Sequence, residues 1–143
     1  MKLKNNDLRS LANFLVDEKL GGKASRMRTR FIKILNERLK EVEEFRIELL
    51  EKYAKKDDEG KAILTEGSYE LDDLETFNKE YADLMDEEFI IDETESKREM
   101  LTHVKRILEN TEKEFNGADA FAYDRWCETF ENLKYEDKAS PKE

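Results

Sequence analysis

Two side chains that could support covalent or acid–base chemistry occur once each in this chain of 143 residues, His103 and Cys127. A thiol activated by a neighbouring imidazole is a common enzymatic nucleophile. The two residues fall in different predicted helices, so a Cys–His dyad would require those helices to pack side by side. The alternative interpretation is that Cys127 is a small buried apolar side chain.

Other catalytic and metal-binding patterns are missing from the sequence. A lone His without a nearby Cys or second His does not make a zinc site. Residues 57–60 (DDEG) have the composition of a calcium loop, but placing Gly60 sixth puts Lys55 first, where a carboxylate is needed. Five glycines provide no phosphate-binding loop. The sequence therefore predicts a protein that is not an enzyme and has no catalytic residues, cofactor or metal.

The most informative polar residues form a basic cluster at the start of the longest predicted helix. The cluster consists of Arg26, Arg28, Arg30 and Lys33. Arg26, Arg30 and Lys33 are spaced i, i+4 and i+7, which places them on one helix face. Because the helix macrodipole disfavours cations in the first turns, some contact should offset this cost. The candidates are an acidic protein surface, nucleic-acid phosphates, or acidic helices of the same chain.

An aromatic face on the last predicted helix is the second candidate site. Tyr123, Trp126 and Phe130 share this face, and Phe121 lies beside it. One interpretation is that these side chains anchor the core. The other is that they form an interaction hot spot for a protein partner, since Tyr and Trp are enriched at such sites.

The net charge of −10 is distributed unevenly along the chain. Residues 1–40 hold eleven Lys/Arg and four Asp/Glu, a net charge of +7, whereas residues 41–143 hold fifteen and thirty-two, a net charge of −17. Such asymmetry is typical of a binding face, but it is equally expected if the basic segment packs against the acidic one. The low pI of 4.8 makes nucleic acid a less favoured partner than protein.

The elements that would position these residues are mainly α-helices. Apolar residues recurring every three or four positions predict one long helix over residues 25–55, with Ser25 as its N-cap. Shorter helices are predicted from an Asn6 or Asp7 cap to Gly21, over 73–87 from an Asp72 or Asp73 cap, over 95–114 up to Asn116-Gly117, and from an Asp119 cap to Leu133. We therefore expect a mainly α fold with about five helices.

The long helix carries a further implication. About thirty residues make a helix roughly 45 Å long, which exceeds the diameter of a compact domain of this size. An apolar stripe left uncovered is unfavourable in water, so we expect one end to meet a partner, and a homo-oligomer is one solution.

The β-structure predicted from the sequence is small. Residues 62–71 alternate and turn in the manner of a short β-hairpin. An isolated hairpin is only marginally stable in water, and residues 89–91 could add a third strand to it. The expectation is a hairpin or a three-stranded sheet.

The chain is predicted to form a single helical domain over residues 1–133, followed by a flexible charged tail over residues 134–143. No run approaches the roughly 18 to 20 apolar residues of a membrane span. The first residues lack the apolar region of a secretory signal, and a lone Cys suits a reducing compartment. These features favour a cytoplasmic location without membrane contact.

Three stretches together resemble a known protein family. They are LKNNDL…LANFL over residues 3–15, GKASRMRTRF over residues 22–31 and DAFAYDRWCE over residues 119–128. The chain resembles small uncharacterised proteins of tailed phages and prophages of Gram-positive bacteria, encoded among late genes of the tail and lysis region. The resemblance implies a phage protein in the host cytoplasm, with the virion as a second location. It implies no catalytic or binding residues, because none of the stretches is a mechanistic motif.

Three functions remain open from the sequence. The first is a non-enzymatic accessory of virion or tail assembly that acts by protein–protein interaction. The second is a phage-encoded acidic inhibitor of a host defence or nucleic-acid-processing protein, in which the acidic helices imitate phosphates. The third and weakest is nucleic-acid binding through the basic start of the long helix.

Overall fold

The computed structural model describes residues 1–135. About 65% of them are helical, and the strands form two separate antiparallel pairs. The helices are α1 (Asn5–Val16), α2 (Gly22–Tyr53), α3 (Leu74–Asp86), α4 (Arg98–Asn110, after a 3-10 turn at Glu95–Lys97) and α5 (Gly117–Glu131). The strands are β1 (Lys2–Lys4), β2 (Leu64–Thr65), β3 (Ser68–Tyr69) and β4 (Glu88–Ile90). The predicted mainly α fold, with five helices of which one is long, is confirmed.

Helix α2 follows the apolar stripe that predicted it. It spans 32 residues, or about 48 Å at 1.5 Å per residue. Its buried side chains all belong to that stripe, and they are Met27, Phe31, Leu35 and Val42. The helix begins before the predicted cap, with Gly21 as N-cap, and Ser25 lies inside its first turns. The Ser25 hydroxyl instead accepts a hydrogen bond from Arg28.

The main hydrophobic core lies between α1, the first half of α2, α4 and α5. Its most deeply buried apolar side chains are Leu8, Leu11, Leu15, Phe31, Leu35, Leu101, Val104, Leu108 and Phe130. Burying a side chain of this size contributes about 1.5–3 kcal/mol. This core therefore holds the first half of α2 in a defined orientation.

The second half of α2 belongs to a different packing region. It packs against α3, and four buried apolar residues of this region lie outside the main core: Val42, Ala54, Phe77 and Leu84. We call residues 41–88 the acidic arm, since they hold eighteen Asp/Glu and six Lys/Arg, a net charge of −12. Residues 1–40 and 89–135 form the basic body, with fifteen Asp/Glu and eighteen Lys/Arg, a net charge of +3.

The predicted hairpin is present, but the expected third strand does not join it. Strands β2 and β3 pair around Glu66 and Gly67, whose φ values of 52° and 81° fit the tight turn of a two-residue hairpin. Strand β4 pairs instead with β1, with Leu3 opposite Phe89. The buried side chains of Leu3 and Ile91 explain this choice, because both belong to the main core and draw the two segments together.

Several helix ends also differ from the predicted ones. Helix α1 begins at Asn5, ahead of the proposed Asn6 or Asp7 cap. Helix α4 ends at Asn110, and the chain runs on without helix to Asn116, which is the N-cap of α5 in place of Asp119. The predicted Asp73 cap is confirmed, since its carboxylate accepts a hydrogen bond from the Thr76 N–H at 3.0 Å.

Two further predictions concern the charged tail and membrane contact. Lys134 and Tyr135, the first residues of the predicted tail, contact the body: the Lys134 N–H donates to Glu93, and the Tyr135 hydroxyl donates to the Thr94 carbonyl at 2.6 Å. Residues 136–143 of that prediction lie outside the described residues. Over residues 1–135, no helix combines the length and the apolar character required to cross a bilayer.

Candidate functional site

Three cations share an exposed surface on the first half of α2. Arg26, Arg30 and Lys33 are all exposed, and a spacing of i, i+4 and i+7 aligns them over about 10 Å of helix. The opposite side of this segment carries Met27 and Phe31 into the main core. The core thus fixes the orientation of these cations, which we call the basic face.

Arg28, the fourth member of the predicted cluster, points elsewhere. Its guanidinium donates hydrogen bonds to the carbonyls of Leu15 at 2.8 Å and Glu18 at 2.7 Å. Lys113 adds a bond to the Phe14 carbonyl at 3.2 Å. These are carbonyls at the end of α1, where the macrodipole favours positive charge. Arg28 is therefore a helix cap and not part of an exposed binding surface, which corrects its place in the predicted cluster.

One ion pair links the start of α2 to α4. Lys23 pairs with the carboxylate of Glu99. This contact with Lys23 lowers the pKa of Glu99. Glu99 is thus already engaged by Lys23.

The basic face itself is not neutralised by direct ion pairs within the described part of the chain. None of Arg26, Arg30 and Lys33 has a carboxylate oxygen within 4.0 Å among residues 1–135. The sequence left open whether these cations are neutralised internally or form an external surface, and each alternative describes part of the segment. Lys23 and Arg28 have internal partners, whereas the three cations of the basic face are exposed to solvent.

The predicted aromatic face lies in the core. Trp126 is 3% exposed and Phe130 is fully buried, with Phe130 in an edge-on contact with Phe31 at 5.7 Å between ring centroids. Tyr123 is half-buried and stacks on Phe115 at 4.4 Å. Burial raises the pKa of Tyr123 to about 12. Of the two interpretations, the core anchor describes these residues, and the hot-spot interpretation is corrected because Trp126 and Phe130 are inaccessible to a partner.

His103 and Cys127 have separate surroundings. His103 lines an open cavity of about 650 Å³ between α4 and the end of α1, and Cys127 is not among its lining residues. Burial raises the pKa of the Cys127 thiol, which disfavours the nucleophilic thiolate. Over residues 1–135, no group of three or more His, Cys, Asp and Glu side chains is arranged to hold a metal ion.

A second surface feature is an open groove in the acidic arm, between the second half of α2 and α3. Its volume is about 450 Å³. The apolar lining residues are Phe45, Leu49 and Leu84, and the charged ones are Glu48, Lys52, Glu80, Asp83 and Glu87. Phe45 is 44% exposed. We call this feature the arm groove, and four of its five charged side chains are acidic.

A family model described as "Protein of unknown function (DUF1617)" matches residues 1–137. The chain belongs to the DUF1617 family. No curated protein and no solved structure matches it. The resemblance to an uncharacterised family is confirmed at this level, and the match covers both the basic body and the acidic arm of this DUF1617 protein.

One polar junction in this DUF1617 protein was not predicted from its sequence. The buried Asn5 side chain donates to the Leu84 carbonyl at 2.8 Å and accepts from Arg38 at 2.9 Å. Asp7, also buried, receives a two-pronged bond from Arg125 at 2.7 and 3.0 Å. Both residues lie at the start of α1, where the sequence predicted Asn6 or Asp7 as the helix cap. Their true partners are 79 and 118 positions away, and no local pattern reveals them.

Proposed function

We propose that this DUF1617 protein is a phage protein that acts without catalysis, by binding another protein as an accessory of virion or tail assembly. The observation that carries the proposal is the basic face, where three cations are exposed without an ion pair within residues 1–135. The sequence resemblance to phage proteins supports the phage setting.

The position of the basic face favours a binding role. Arg28 uses its guanidinium to bond the Leu15 and Glu18 carbonyls at the end of α1. Arg26 and Arg30, on the same helix, have no comparable contact within residues 1–135 and leave their charges exposed. Arginine suits a protein interface because its planar fork grips carboxylates in pairs.

An acidic protein surface is a better partner than nucleic acid. Nucleic-acid binding depends on neutralising many phosphates, and the basic face offers three cations. The acidic arm, with a net charge of −12, begins on the same helix and would repel a phosphate backbone. A compact carboxylate patch on a protein avoids this repulsion.

The non-catalytic part of the proposal is supported by the two side chains that could react. The pKa of Cys127 is raised by burial, and His103 lines a cavity that Cys127 does not reach. An activated thiol needs the opposite conditions, namely a lowered pKa and an adjacent base.

Affinity capture from phage-infected cells tests the proposal. The wild-type chain, an Arg26→Glu/Arg30→Glu variant and a Lys19→Glu/Arg106→Glu control would serve as baits. Lys19 and Arg106 are exposed cations of the basic body outside the basic face, so the control has the same change in net charge. We expect a phage structural protein in the wild-type and control captures and its loss from the first variant.

Purified virions provide a second readout of the assembly role. The chain, or its captured partner, should be detected in virions or assembly intermediates by mass spectrometry. Undiminished capture by the Arg26→Glu/Arg30→Glu variant would refute the basic face as the binding surface. Capture of duplex DNA by the wild type, with a steep salt dependence and loss in that variant, would replace the protein partner with nucleic acid.

A second candidate function follows from the charge of the acidic arm. A net charge of −12 within residues 41–88 suits an inhibitor that imitates nucleic acid and occupies a host protein that binds it. In that case the captured protein would be of host origin, and it would be lost when Asp83 and Glu80 are replaced by Lys but retained when Arg26 and Arg30 are reversed.

A further inference from the structure

The arm groove and the basic face are complementary in charge and in spacing. Along α3 and its C-cap, the groove carboxylates Glu80, Asp83 and Glu87 are spaced 0, 3 and 7 residues apart. The cations of the basic face, taken in reverse order from Lys33 through Arg30 to Arg26, are also spaced 0, 3 and 7. Each set spans about 10 Å at 1.5 Å per residue. Two such helices placed antiparallel would therefore bring the three charge pairs opposite one another.

The carboxylates of the groove are only partly engaged within the chain. Lys52 approaches Glu80 at 3.6 Å, and Arg38 approaches Glu87 at 3.7 Å, both outside hydrogen-bond distance. The Oε2 atom of Glu80 is shielded from solvent, so a partner would reach Glu80 through Oε1, the atom that Lys52 approaches. Asp83 is exposed and has no ion pair within residues 1–135. The groove can therefore accept further cations.

The apolar residues of the groove indicate a protein occupant. Phe45 is 44% exposed, and it lines the groove together with Leu49 and Leu84. A partner that brings a helix with cations and aliphatic side-chain stems would cover this apolar surface, because the stems of Arg and Lys pack on apolar groups while their charged ends reach the carboxylates.

We propose that the arm groove binds the basic face of a second copy of this chain. Arg26, Arg30 and Lys33 of one copy then lie against Glu87, Asp83 and Glu80 of the next. This inference rests on the proposed function, in which the basic face binds an acidic protein surface, and it identifies that surface.

The geometry makes this contact head-to-tail. The ion pairs Lys52–Glu80 and Arg38–Glu87 show that α2 and α3 of one chain run antiparallel. A second copy whose α2 is antiparallel to that α3 therefore lies parallel to the first α2. The basic face and the groove are at different heights along α2, so a two-fold axis cannot satisfy both contacts at once. Each copy retains one free surface, and repetition builds a chain of copies.

Sedimentation velocity on purified proteins tests the inference without any other partner. Four proteins are compared: the wild type, the Arg26→Glu/Arg30→Glu variant, a Glu80→Lys/Asp83→Lys variant and the Lys19→Glu/Arg106→Glu control. We expect the sedimentation coefficient of the wild type and of the control to rise continuously from low to high micromolar concentration. Added salt should suppress this rise, since the contact is electrostatic.

The decisive sample is a mixture of the two interface variants. Each alone lacks one of the two complementary surfaces and should sediment as a monomer. Mixed at equal concentration, the intact groove of one meets the intact basic face of the other, so the mixture should form a 1:1 dimer and nothing larger. If circular dichroism shows that the groove double variant is unfolded, Asp83→Lys alone takes its place.

Other results would overturn the inference. A wild type that remains monomeric throughout, interface variants that associate like the wild type, or a mixture without dimers would each contradict it. These failures differ from a failure of the proposed function. Capture of another protein that is lost in Arg26→Glu/Arg30→Glu, by a chain that sediments only as a monomer, overturns the second-copy inference and leaves the proposed function standing.

Discussion

The basic body and the acidic arm are built on the same helix but are stabilised differently. In the body, α2 is covered by α1, α4 and α5, and Phe31 and Leu35 are fully buried. In the arm, α2 is covered by α3, and Phe45 remains 44% exposed. Because the main core holds the first half of α2, the second half can leave apolar residues such as Phe45 exposed while the helix stays folded. The same helix therefore presents two kinds of surface: a basic face held rigidly by the main core, and in the arm an acidic surface whose apolar residues are only partly covered.

The largest expected difference between the two regions comes from removing one buried ring in each. Phe31→Ala removes a fully buried ring from the main core and should lower the free energy of unfolding by about 3–5 kcal/mol. Phe77→Ala, in the smaller cluster of the arm, should cost about 1–2 kcal/mol less because the open groove lets neighbours collapse into the space. Urea denaturation measures both. Equal losses would show that arm and body share one core.

The junction between the two regions should be the next most sensitive position. Asn5→Leu removes the hydrogen bonds to the Leu84 carbonyl and to Arg38, leaving that carbonyl with the Glu87 N–H as its remaining partner. We expect a loss of about 1–3 kcal/mol in unfolding free energy. Asn6→Leu, at an exposed neighbouring position, is the matched control. If Asn5→Leu proves as mild as the control, Asn5 does not join the arm to the body.

Within the basic segment, two arginines two positions apart should behave differently. Arg28→Met removes three hydrogen bonds, including those to the end of α1, and should cost about 1–2 kcal/mol. Arg26→Met removes no described contact, so its effect should stay within about 0.5 kcal/mol. Thermal unfolding of the two variants gives the comparison. A larger loss for Arg26→Met than for Arg28→Met would reverse the assignment of cap and surface.

The smallest expected effect is a dependence of body stability on acid pH. Hydrogen bonds from the Lys134 N–H and from the N-terminal ammonium lower the pKa of Glu93. A carboxyl whose pKa is lower in the folded than in the unfolded chain stabilises the fold above its ordinary pKa, and this contribution is lost as pH falls through the folded pKa. Melting temperatures measured from neutral to acid pH should therefore fall less steeply for Glu93→Gln. Parallel curves for both proteins would exclude this contribution.

The success of the sequence predictions depended on how local each signal is. The stripe from Met27 to Val42 and the cap at Asp73 are set by neighbours within one or two turns, and the structure confirms both. The pairing of β1 with β4 joins residues more than eighty positions apart. It depends on which apolar side chains reach the core, and no local pattern contains that information.

The candidate site shows the same limit at the level of single residues. Spacing placed Arg26, Arg30 and Lys33 on one face, and they are exposed together. The spacing could not show that Arg28 caps α1 and does not belong to this surface, because its hydrogen-bond partners lie at the end of that other helix. The aromatic residues of α5 posed a choice between core and surface that only the packing of Phe14, Phe31 and Phe115 against them decides.

We infer that the basic face serves a partner and contributes little to the folding of its own chain. The deciding measurement is the unfolding free energy of the purified Arg26→Glu/Arg30→Glu variant, obtained by urea denaturation next to the wild type at a concentration at which both sediment as monomers. We expect a difference within about 0.5 kcal/mol, as for exposed positions without specific contacts. A loss of about 2 kcal/mol or more would contradict it, because it would mean that these cations are neutralised inside the folded chain.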